Sequence, residues 1–173
     1  SSNGGSAITD YIVQSCTGGT CTTFNDGTGT STSATVTGLT NGTAYTFQVA
    51  AVNAAGSSTY STRSAAATPR AVAGTPTNIA GTVGNGQVTL SWNAPANNGA
   101  AITDYVVQSC IGSSCSTFTH SPSATAGIIV TGLTNGTAYT FKIAAVNLAG
   151  TGTAATSSAF TPRTVPNAPT SVR

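Results

Sequence analysis

Side chains that could perform acid–base or metal chemistry are few in this sequence. Its 173 residues include three acids, Asp10, Asp26 and Asp104, and one histidine, His120. Hydrolysis of a glycosidic bond needs two carboxyl groups flanking that bond, and a structural zinc ion needs a full set of Cys and His ligands. Asp10 and Asp104 occupy the same position in two copies of a repeat, so we do not expect them to pair. We therefore predict no catalytic residue, no metal site, no cofactor and no enzyme.

Four cysteines form two pairs with the same spacing. Cys16 and Cys21 enclose Thr-Gly-Gly-Thr, and Cys110 and Cys115 enclose Ile-Gly-Ser-Ser. Each pair spans a Gly-containing turn at the tip of a predicted hairpin, which favours a local disulfide; disulfides between neighbouring chains are the alternative. The spacing differs from that of redox motifs, which have two residues between the cysteines. Since disulfides form in oxidising compartments, the pairs predict an extracellular or cell-surface protein.

Two Asn-Gly-Thr triplets begin at Asn41 and Asn135. Each satisfies the pattern for N-glycosylation. Asn-Gly is also a frequent turn pair, because both residues tolerate positive φ. We interpret both triplets as turns, and the sequence leaves glycosylation at either Asn open.

The composition favours an all-β protein. Charged residues are 5% of the chain, compared with roughly 25% in an average soluble domain. Polarity comes instead from Thr, Ser, Asn and Gly, and Thr favours strands because it is β-branched. The net charge of +2 is not gathered in a basic stripe, so nucleic-acid binding is not expected. No apolar run approaches the ~18 residues of a membrane span.

The sequence contains a domain-sized repeat. Residues 7–16 (AITDYIVQSC) and 101–110 (AITDYVVQSC) are nearly identical and lie 94 positions apart. The same offset relates residues 36–47 to residues 130–141, and an offset of 93 applies near the end of the repeat. This period matches the size of a domain rather than that of a solenoid repeat.

The frame of the repeat divides the chain into three segments. Residues 71–163 form one complete unit. Residues 1–70 correspond to its later three-quarters and lack counterparts of its first two strands. Residues 164–173 match the start of the unit, and we interpret them as the first strand of a following or neighbouring domain.

The two ends of the chain suggest a way of joining units. No segment before residue 1 corresponds to the strand around Trp92, so we expect preceding residues or a neighbouring molecule to supply the missing strands. We also expect residues 164–173 to complete a sandwich of the next unit, in the same or a neighbouring chain. In that segment Val165, Pro169 and Val172 are the candidate strand-donor residues.

Seven short strands are predicted in the complete unit. Alternating apolar residues mark the strands, and turn pairs such as Asn85-Gly86 separate them. The predicted strands cover residues 75–80, 87–92, 102–109, 115–118, 128–131, 139–145 and 153–160. Seven strands in a domain of this length match a β-sandwich of two sheets.

The motifs of this unit resemble those of the fibronectin type III domain. They are Val-Thr-Leu-Ser-Trp ending at Trp92, Tyr105 in the next strand, Leu-Thr-Asn-Gly-Thr-Ala-Tyr at residues 133–139, and Ala-Val-Asn at residues 145–147. The resemblance covers the whole chain and implies tandem seven-stranded, immunoglobulin-like sandwiches. It is strongest to the Thr/Gly-rich version common in bacterial secreted proteins, although most members of the family lack the cysteine pairs.

The resemblance also implies a tyrosine corner in each unit. Leu39 precedes Tyr45 by six residues, and Leu133 precedes Tyr139 by the same distance. The phenol hydroxyl of each Tyr is expected to bond to the nearby backbone. With Trp92, these four residues are the predicted structural core.

Near-identical repeats and short Pro-containing linkers favour a structural or adhesive array outside the cell, or a fibre assembled by strand complementation. Its partners would be neighbouring domains or copies of the same protein. The alternative is a non-catalytic spacer in a secreted carbohydrate-active enzyme. A ligand-binding module is a weaker hypothesis, because only Phe24 and Tyr60 remain as aromatics outside the predicted core. A carbohydrate or host-surface ligand therefore has no support in the sequence.

Overall fold

A computed structural model describes residues 2–168, which form two compact units. Unit 1 comprises residues 1–70 and unit 2 comprises residues 71–173. Their strands are β1 (Ile8–Thr17), β2 (Thr20–Phe24), β3 (Thr46–Asn53), β4 (Gly56–Ser57), β5 (Thr77–Gly84), β6 (Gln87–Asn93), β7 (Ile102–Ile111), β8 (Ser114–Phe118), β9 (Gly127–Val130), β10 (Thr140–Asn147), β11 (Gly150–Thr151) and β12 (Ala155–Thr156). In the described part of the chain, no helix is long and apolar enough to span a membrane.

Unit 2 is a sandwich of two antiparallel sheets. One sheet has the strand order β5-β6-β9. The other has the order β11-β10-β7-β8, and β12 also pairs with β10. Since β11 and β12 pair with successive parts of β10, together they serve as the seventh strand. The predicted all-β sandwich is confirmed.

The core of unit 2 lies between these sheets. Val88, Leu90 and Trp92 alternate along β6 and are 0%, 1% and 6% exposed. The Trp92 ring meets Tyr105 edge to face, with 4.9 Å between ring centroids. The other buried members of the core are Ala73, Val107, Val130, Tyr139, Phe141, Ile143 and Ala145. Alternation along β6 therefore places one face of the strand entirely in the core.

The Asn-Gly pairs form turns, as the sequence predicts. Gly86, between β5 and β6, has a φ of +63°, and Gly42 and Gly136 have φ values of +83° and +82°. A Cβ would make these conformations costly, so glycine is favoured at all three turns.

Unit 1 contains one sheet within its described residues. The strand order is β2-β1-β3-β4. The register repeats that of unit 2, since Val13 faces Val49 as Val107 faces Ile143. The buried apolar residues of unit 1 are Val13, Cys16 and Ala50. Unit 1 therefore corresponds to one half of the sandwich.

Three serines bind the last segment of unit 1 to β3 by hydrogen bonds, although that segment is not a regular strand. Each serine donates its N–H to a carbonyl of β3, and its Oγ accepts the N–H of that same β3 residue at 3.0–3.1 Å. The pairs are Ser58 with Ala51, Ser61 with Val49 and Ser64 with Phe47. We call these three serines the serine ladder. They recur every third residue while their partners recur every second, so a regular strand cannot form.

Unit 2 retains one rung of this arrangement, between Ser157 and Phe141. The prediction of a continuous strand over residues 153–160 is therefore wrong. The structure has the short strands β11 and β12 and an isolated bridge between Tyr139 and Phe160 instead. The Ser157 hydroxyl occupies the place of a backbone carbonyl and interrupts the strand pairing.

Candidate functional site

In unit 2, strand β6 covers one face of the β7–β10 sheet. Tyr105 and Val107 on β7, and Phe141 and Ile143 on β10, are at most 2% exposed on this face. Their burial depends on the β6 residues described above, because these complete the same hydrophobic core. The β6 strand is thus the cover of this sheet.

The equivalent face of unit 1 is an open groove of about 440 Å³. Five of its apolar lining residues are the repeat counterparts of Tyr105, Val107, Val130, Phe141 and Ile143, namely Tyr11, Val13, Val36, Phe47 and Val49. Val49 is 37% exposed, whereas Ile143 is fully buried. Among residues 2–70 no second sheet lies over this face. The groove therefore corresponds in position to the space that β6 fills in unit 2.

Three residues hold the turn of the β5–β6 hairpin in unit 2. The Leu133 N–H donates to the Gly86 carbonyl at 2.9 Å. The Asn135 side chain accepts the Gly86 N–H at 2.8 Å and donates to the Asn85 side chain at 2.7 Å. The Arg163 N–H donates to the carbonyl that ends β5 at 3.0 Å. We call Leu133, Asn135 and Arg163 the hairpin clasp.

Unit 1 has the same clasp residues at equivalent positions, namely Leu39, Asn41 and Arg70. In the described part of the chain no hairpin turn lies against them, and the Asn41 side chain has no hydrogen-bond partner there. The Nδ2 atom of Asn135, to which a glycan would attach, is used in its clasp. The two triplets of the sequence thus have different surroundings in the two units.

One residue beside the clasp differs between the units. In unit 2 the Phe160 ring lies so close to β5 that a Cβ on Gly81 would be 2.8 Å from it. Ala67 takes the place of Phe160 in unit 1, since it forms the matching bridge with the tyrosine of the corner. Unit 1 therefore has more room at this position.

Both predicted cysteine pairs form disulfides, Cys16–Cys21 and Cys110–Cys115. Each joins directly opposite residues of a hairpin, β1–β2 or β7–β8, with 4.0 Å between Cα atoms. No cysteine is free in the described part of the chain. The disulfides therefore act locally and leave no thiol to link neighbouring chains.

The tyrosine hydroxyls lie beside the backbone of the preceding turn. The Thr40 N–H donates to the Tyr45 hydroxyl, and the Thr134 N–H donates to the Tyr139 hydroxyl, each at 3.1 Å. Tyr139 is 7% exposed, whereas Tyr45 is half-buried. Leu39 and Leu133, which precede these turns, are also half-buried. The same corner is thus formed in both units but is covered more fully in unit 2.

The acids anchor loops. Asp10 and Asp104 each accept a backbone N–H at 3.0 Å, from Gly29 and Ser123 respectively. His120 lies 3.9 Å from Asp104, and each of its ring nitrogens lies 2.9 Å from a backbone carbonyl oxygen. Within residues 2–168 no cluster of three or more metal-ligating side chains occurs. The sequence does not reveal this anchoring role, because each bond joins a side chain to backbone 19 residues away.

A buried asparagine holds the segment that leads into β5. Asn147 is 5% exposed, and its Nδ2 donates to the carbonyls of Ala71 and Asn97 at 2.9 Å. Asn53 is its counterpart in unit 1 and donates to the Asn3 carbonyl at 2.8 Å. The sequence does not reveal this role either, because it predicts a loop from Asn147 onward, whereas Asn147 is the last residue of β10.

The path of this leading segment requires a glycine. A Cβ built on Gly152 would overlap the Ala73 carbonyl oxygen. Ser58 stands at the matching position in unit 1. A leading segment therefore cannot follow the same path across unit 1.

The remaining candidate residues lie at the surface or outside the described chain. Val165 is 81% exposed, and Tyr60 is 39% exposed. Phe24 is half-buried and faces Val13 across the β1–β2 hairpin. Pro169 and Val172 lie outside the described residues.

Two solved structures are similar to this chain at low sequence identity. A crystal structure of domains from titin has a TM-score of 0.56 and 20% identity, covering 88% of this chain and 54% of that one. The FN1-FN3 domains of chicken CNTN1 have a TM-score of 0.49 and 18% identity, covering 92% of this chain and 57% of that one. The chain thus spans a little over half the length of these structures. No curated protein matches the sequence significantly.

The family match follows the two units. The model of the fibronectin type III domain matches residues 1–67 and again residues 74–161. Together with the sandwich of unit 2 and the matching half-sandwich of unit 1, this shows that the chain belongs to the fibronectin type III family, with two such domains in tandem.

Proposed function

We propose that the chain is part of a structural or adhesive array of repeats outside the cell, in which neighbouring units complete one another by strand complementation. The observation that carries this proposal is the tandem repetition of near-identical fibronectin type III units. Such units can exchange equivalent strands, because each offers the same pairing partners in the same register.

The disulfides support an extracellular or cell-surface location. Disulfides persist in oxidising environments and are rare in the cytosol. A chain in which 5% of residues are charged carries its polarity on Thr, Ser, Asn and Gly, which suits the same location.

The ends of the two units support an array of closely connected domains. The Gly42 N–H donates to the Pro69 carbonyl, and the Gly136 N–H donates to the Pro162 carbonyl, each at 2.9 Å. Each unit therefore holds its own last residues against its Asn-Gly turn. These hydrogen bonds leave few residues at the end of a unit that are not bound to the unit itself.

We propose that residues 164–173 donate an edge strand to another unit. They match residues 71–80, which include the leading segment and the first half of β5. Because β5 is the edge strand of its sheet, this donation leaves the place of β6 to be filled by a further strand. Ser58 also requires the donated segment to take a path different from that in unit 2.

Assembly is tested by light scattering after size-exclusion chromatography and by negative-stain electron microscopy of the oxidised chain over a range of concentrations. We expect end-to-end assemblies that grow with concentration. The variant Val13→Asp, which places a charge in the groove, should remain monomeric, whereas Thr22→Asp on the exposed edge strand should assemble normally. Monomers at every concentration, or assemblies unaffected by Val13→Asp, would contradict strand complementation.

A further inference from the structure

We infer that a pocket in unit 2 binds a small uncharged molecule that combines an apolar ring with an oxygen able to accept a hydrogen bond. The pocket has a volume of about 340 Å³ and is lined by Trp92, by Tyr105 and by residues of the segment that joins β8 to β9. All of its lining residues belong to unit 2. The inference is independent of the proposed assembly of units.

Two buried polar atoms of the pocket-lining side chains have no protein partner. Trp92 is 6% exposed and Tyr105 is 2% exposed. Among residues 2–168, neither Nε1 of Trp92 nor the hydroxyl of Tyr105 makes a hydrogen bond. A buried polar group without a partner lowers stability, because folding has removed its hydrogen bonds to water. Two such atoms on rings whose centroids lie 4.9 Å apart indicate a site that a partner from outside the chain completes.

The remainder of the lining suits a ligand with an apolar body. Val107 is fully buried and Ile128 is half-buried, and both line the pocket. Pockets for small molecules are mostly apolar, carry a few placed polar groups, and begin at about 300 Å³. The indole N–H can only donate a hydrogen bond, whereas the phenol hydroxyl can donate or accept one. The ligand must therefore offer an oxygen acceptor to Trp92.

The ionisable side chains beside the pocket already have partners. The ring nitrogens of His120 lie 2.9 Å from the backbone carbonyl oxygens of Ser121 and Tyr105. Asp104 accepts the Ser123 N–H at 3.0 Å and lies 3.9 Å from the His120 ring. Moving an ion out of water is costly where no opposite charge receives it. An uncharged ligand is therefore favoured.

The segment between β8 and β9 gives a ligand access to the two atoms. Neither atom is open to water, so part of the pocket wall must shift for a ligand to reach them. Residues 119–125 belong to no strand, and the Asp104–Ser123 bond and the His120 contacts hold them in place. A shift of this segment leaves the pairing of both sheets intact.

The test titrates the isotopically labelled, oxidised full chain with acetophenone and with toluene, which has the ring but no oxygen. The chain contains one Trp, so its indole N–H gives a single NMR signal. We expect acetophenone to move this signal downfield to saturation, as a new hydrogen bond does, and toluene not to move it downfield. Backbone amide signals should change at His120 and Ile128 and should not change in unit 1.

Tyr105→Phe separates ligand binding from a structural role. The variant should weaken acetophenone binding by about fivefold and change toluene binding by no more than about twofold, because only the hydroxyl is lost. Since this hydroxyl has no protein partner, the midpoint of thermal unfolding of unit 2 should stay the same or rise. Tyr139→Phe is the matched control, because the Tyr139 hydroxyl accepts the Thr134 N–H at 3.1 Å. This control should unfold at a lower temperature and bind acetophenone normally.

Three results would overturn the inference. They are an indole signal that does not move with millimolar acetophenone, an equal effect of Tyr105→Phe on both probes, and a fall in the unfolding midpoint of Tyr105→Phe as large as that of Tyr139→Phe. The last result would show that the Tyr105 hydroxyl supports the fold. Because the probes bind within one unit, failure of this test leaves the proposed assembly standing, and failure of assembly leaves the pocket standing.

Discussion

Asn41 and Asn135 occupy equivalent positions in the two units but differ in their hydrogen-bond partners. Asn135 accepts and donates hydrogen bonds at the β5–β6 turn, at 2.8 and 2.7 Å. Asn41 has the same neighbours in sequence but no such partner among residues 2–168. The difference lies in the covering hairpin, since the turn that carries each Asn is the same.

Replacing Asn135 by Ala should lower the free energy of unfolding of unit 2 by about 1 kcal/mol, because its two hydrogen bonds are partly open to water. Asn41→Ala is the matched control and should leave the stability of the chain nearly unchanged. Denaturant unfolding monitored by Trp92 fluorescence gives the first value, and circular dichroism covers the control. Equal losses for both variants would show that the Asn acts within its own turn and not as a clasp.

At this scale the sequence predicts local features better than distant ones. The pairing of Cys16 with Cys21 and the positive φ of Gly42 follow from spacing and residue type alone. The bond from Asp10 to the Gly29 backbone and the burial of Asn147 do not. These depend on which loop crosses a strand, and a side chain that bonds to backbone gives no periodic signal in the sequence.

At the scale of elements, the serine ladder replaces a regular edge strand in unit 1. A serine hydroxyl can accept a hydrogen bond from a backbone N–H as a carbonyl does. Three residues of the segment therefore supply the hydrogen-bond partners for two residues of β3. The sequence predicts a continuous strand in the corresponding part of unit 2 because its Thr and Ala residues suit one. The pattern of apolar residues cannot reveal that hydroxyl groups take over the pairing.

Replacing Ser61 by Ala should leave the N–H of Val49 without its 3.1 Å partner. Hydrogen exchange at the Val49 amide should then become faster by about tenfold, since one modest hydrogen bond is lost. Ser116→Ala is a control, because Ser116 lies on β8 of unit 2 and not beside β3. Unchanged exchange at Val49 would mean that the ladder hydroxyl does not protect this amide.

Each disulfide closes a short loop at the tip of a hairpin. Replacing Cys110 and Cys115 by Ser should lower the stability of unit 2 by about 2 kcal/mol, as the chain-entropy model gives for a loop of this length. Denaturant unfolding measures the change against the oxidised chain. A loss near zero would show that β7 and β8 are already ordered in the unfolded state without the bond.

At the scale of the whole molecule, the described residues form a two-sheet sandwich in unit 2 and a single sheet in unit 1. The eleven residues of the main hydrophobic cluster all belong to unit 2. The repeat predicts the shared strands and registers of the two units, because residues 7–16 and 101–110 are nearly identical. The repeat does not reveal the clasp or the close approach of Phe160 to Gly81, since both depend on contacts between strands far apart in the chain.

The most direct test follows hydrogen exchange at two equivalent amides over a range of concentrations of the oxidised chain. The Phe47 and Phe141 amides each donate to a serine hydroxyl, at 3.0 and 2.9 Å, so their local bonds are matched. A difference between them therefore reports whether the sheet is covered. We predict that exchange at Phe47 slows as the chain assembles at higher concentration, whereas exchange at Phe141 does not change. Exchange at Phe47 that is independent of concentration would contradict assembly by strand complementation.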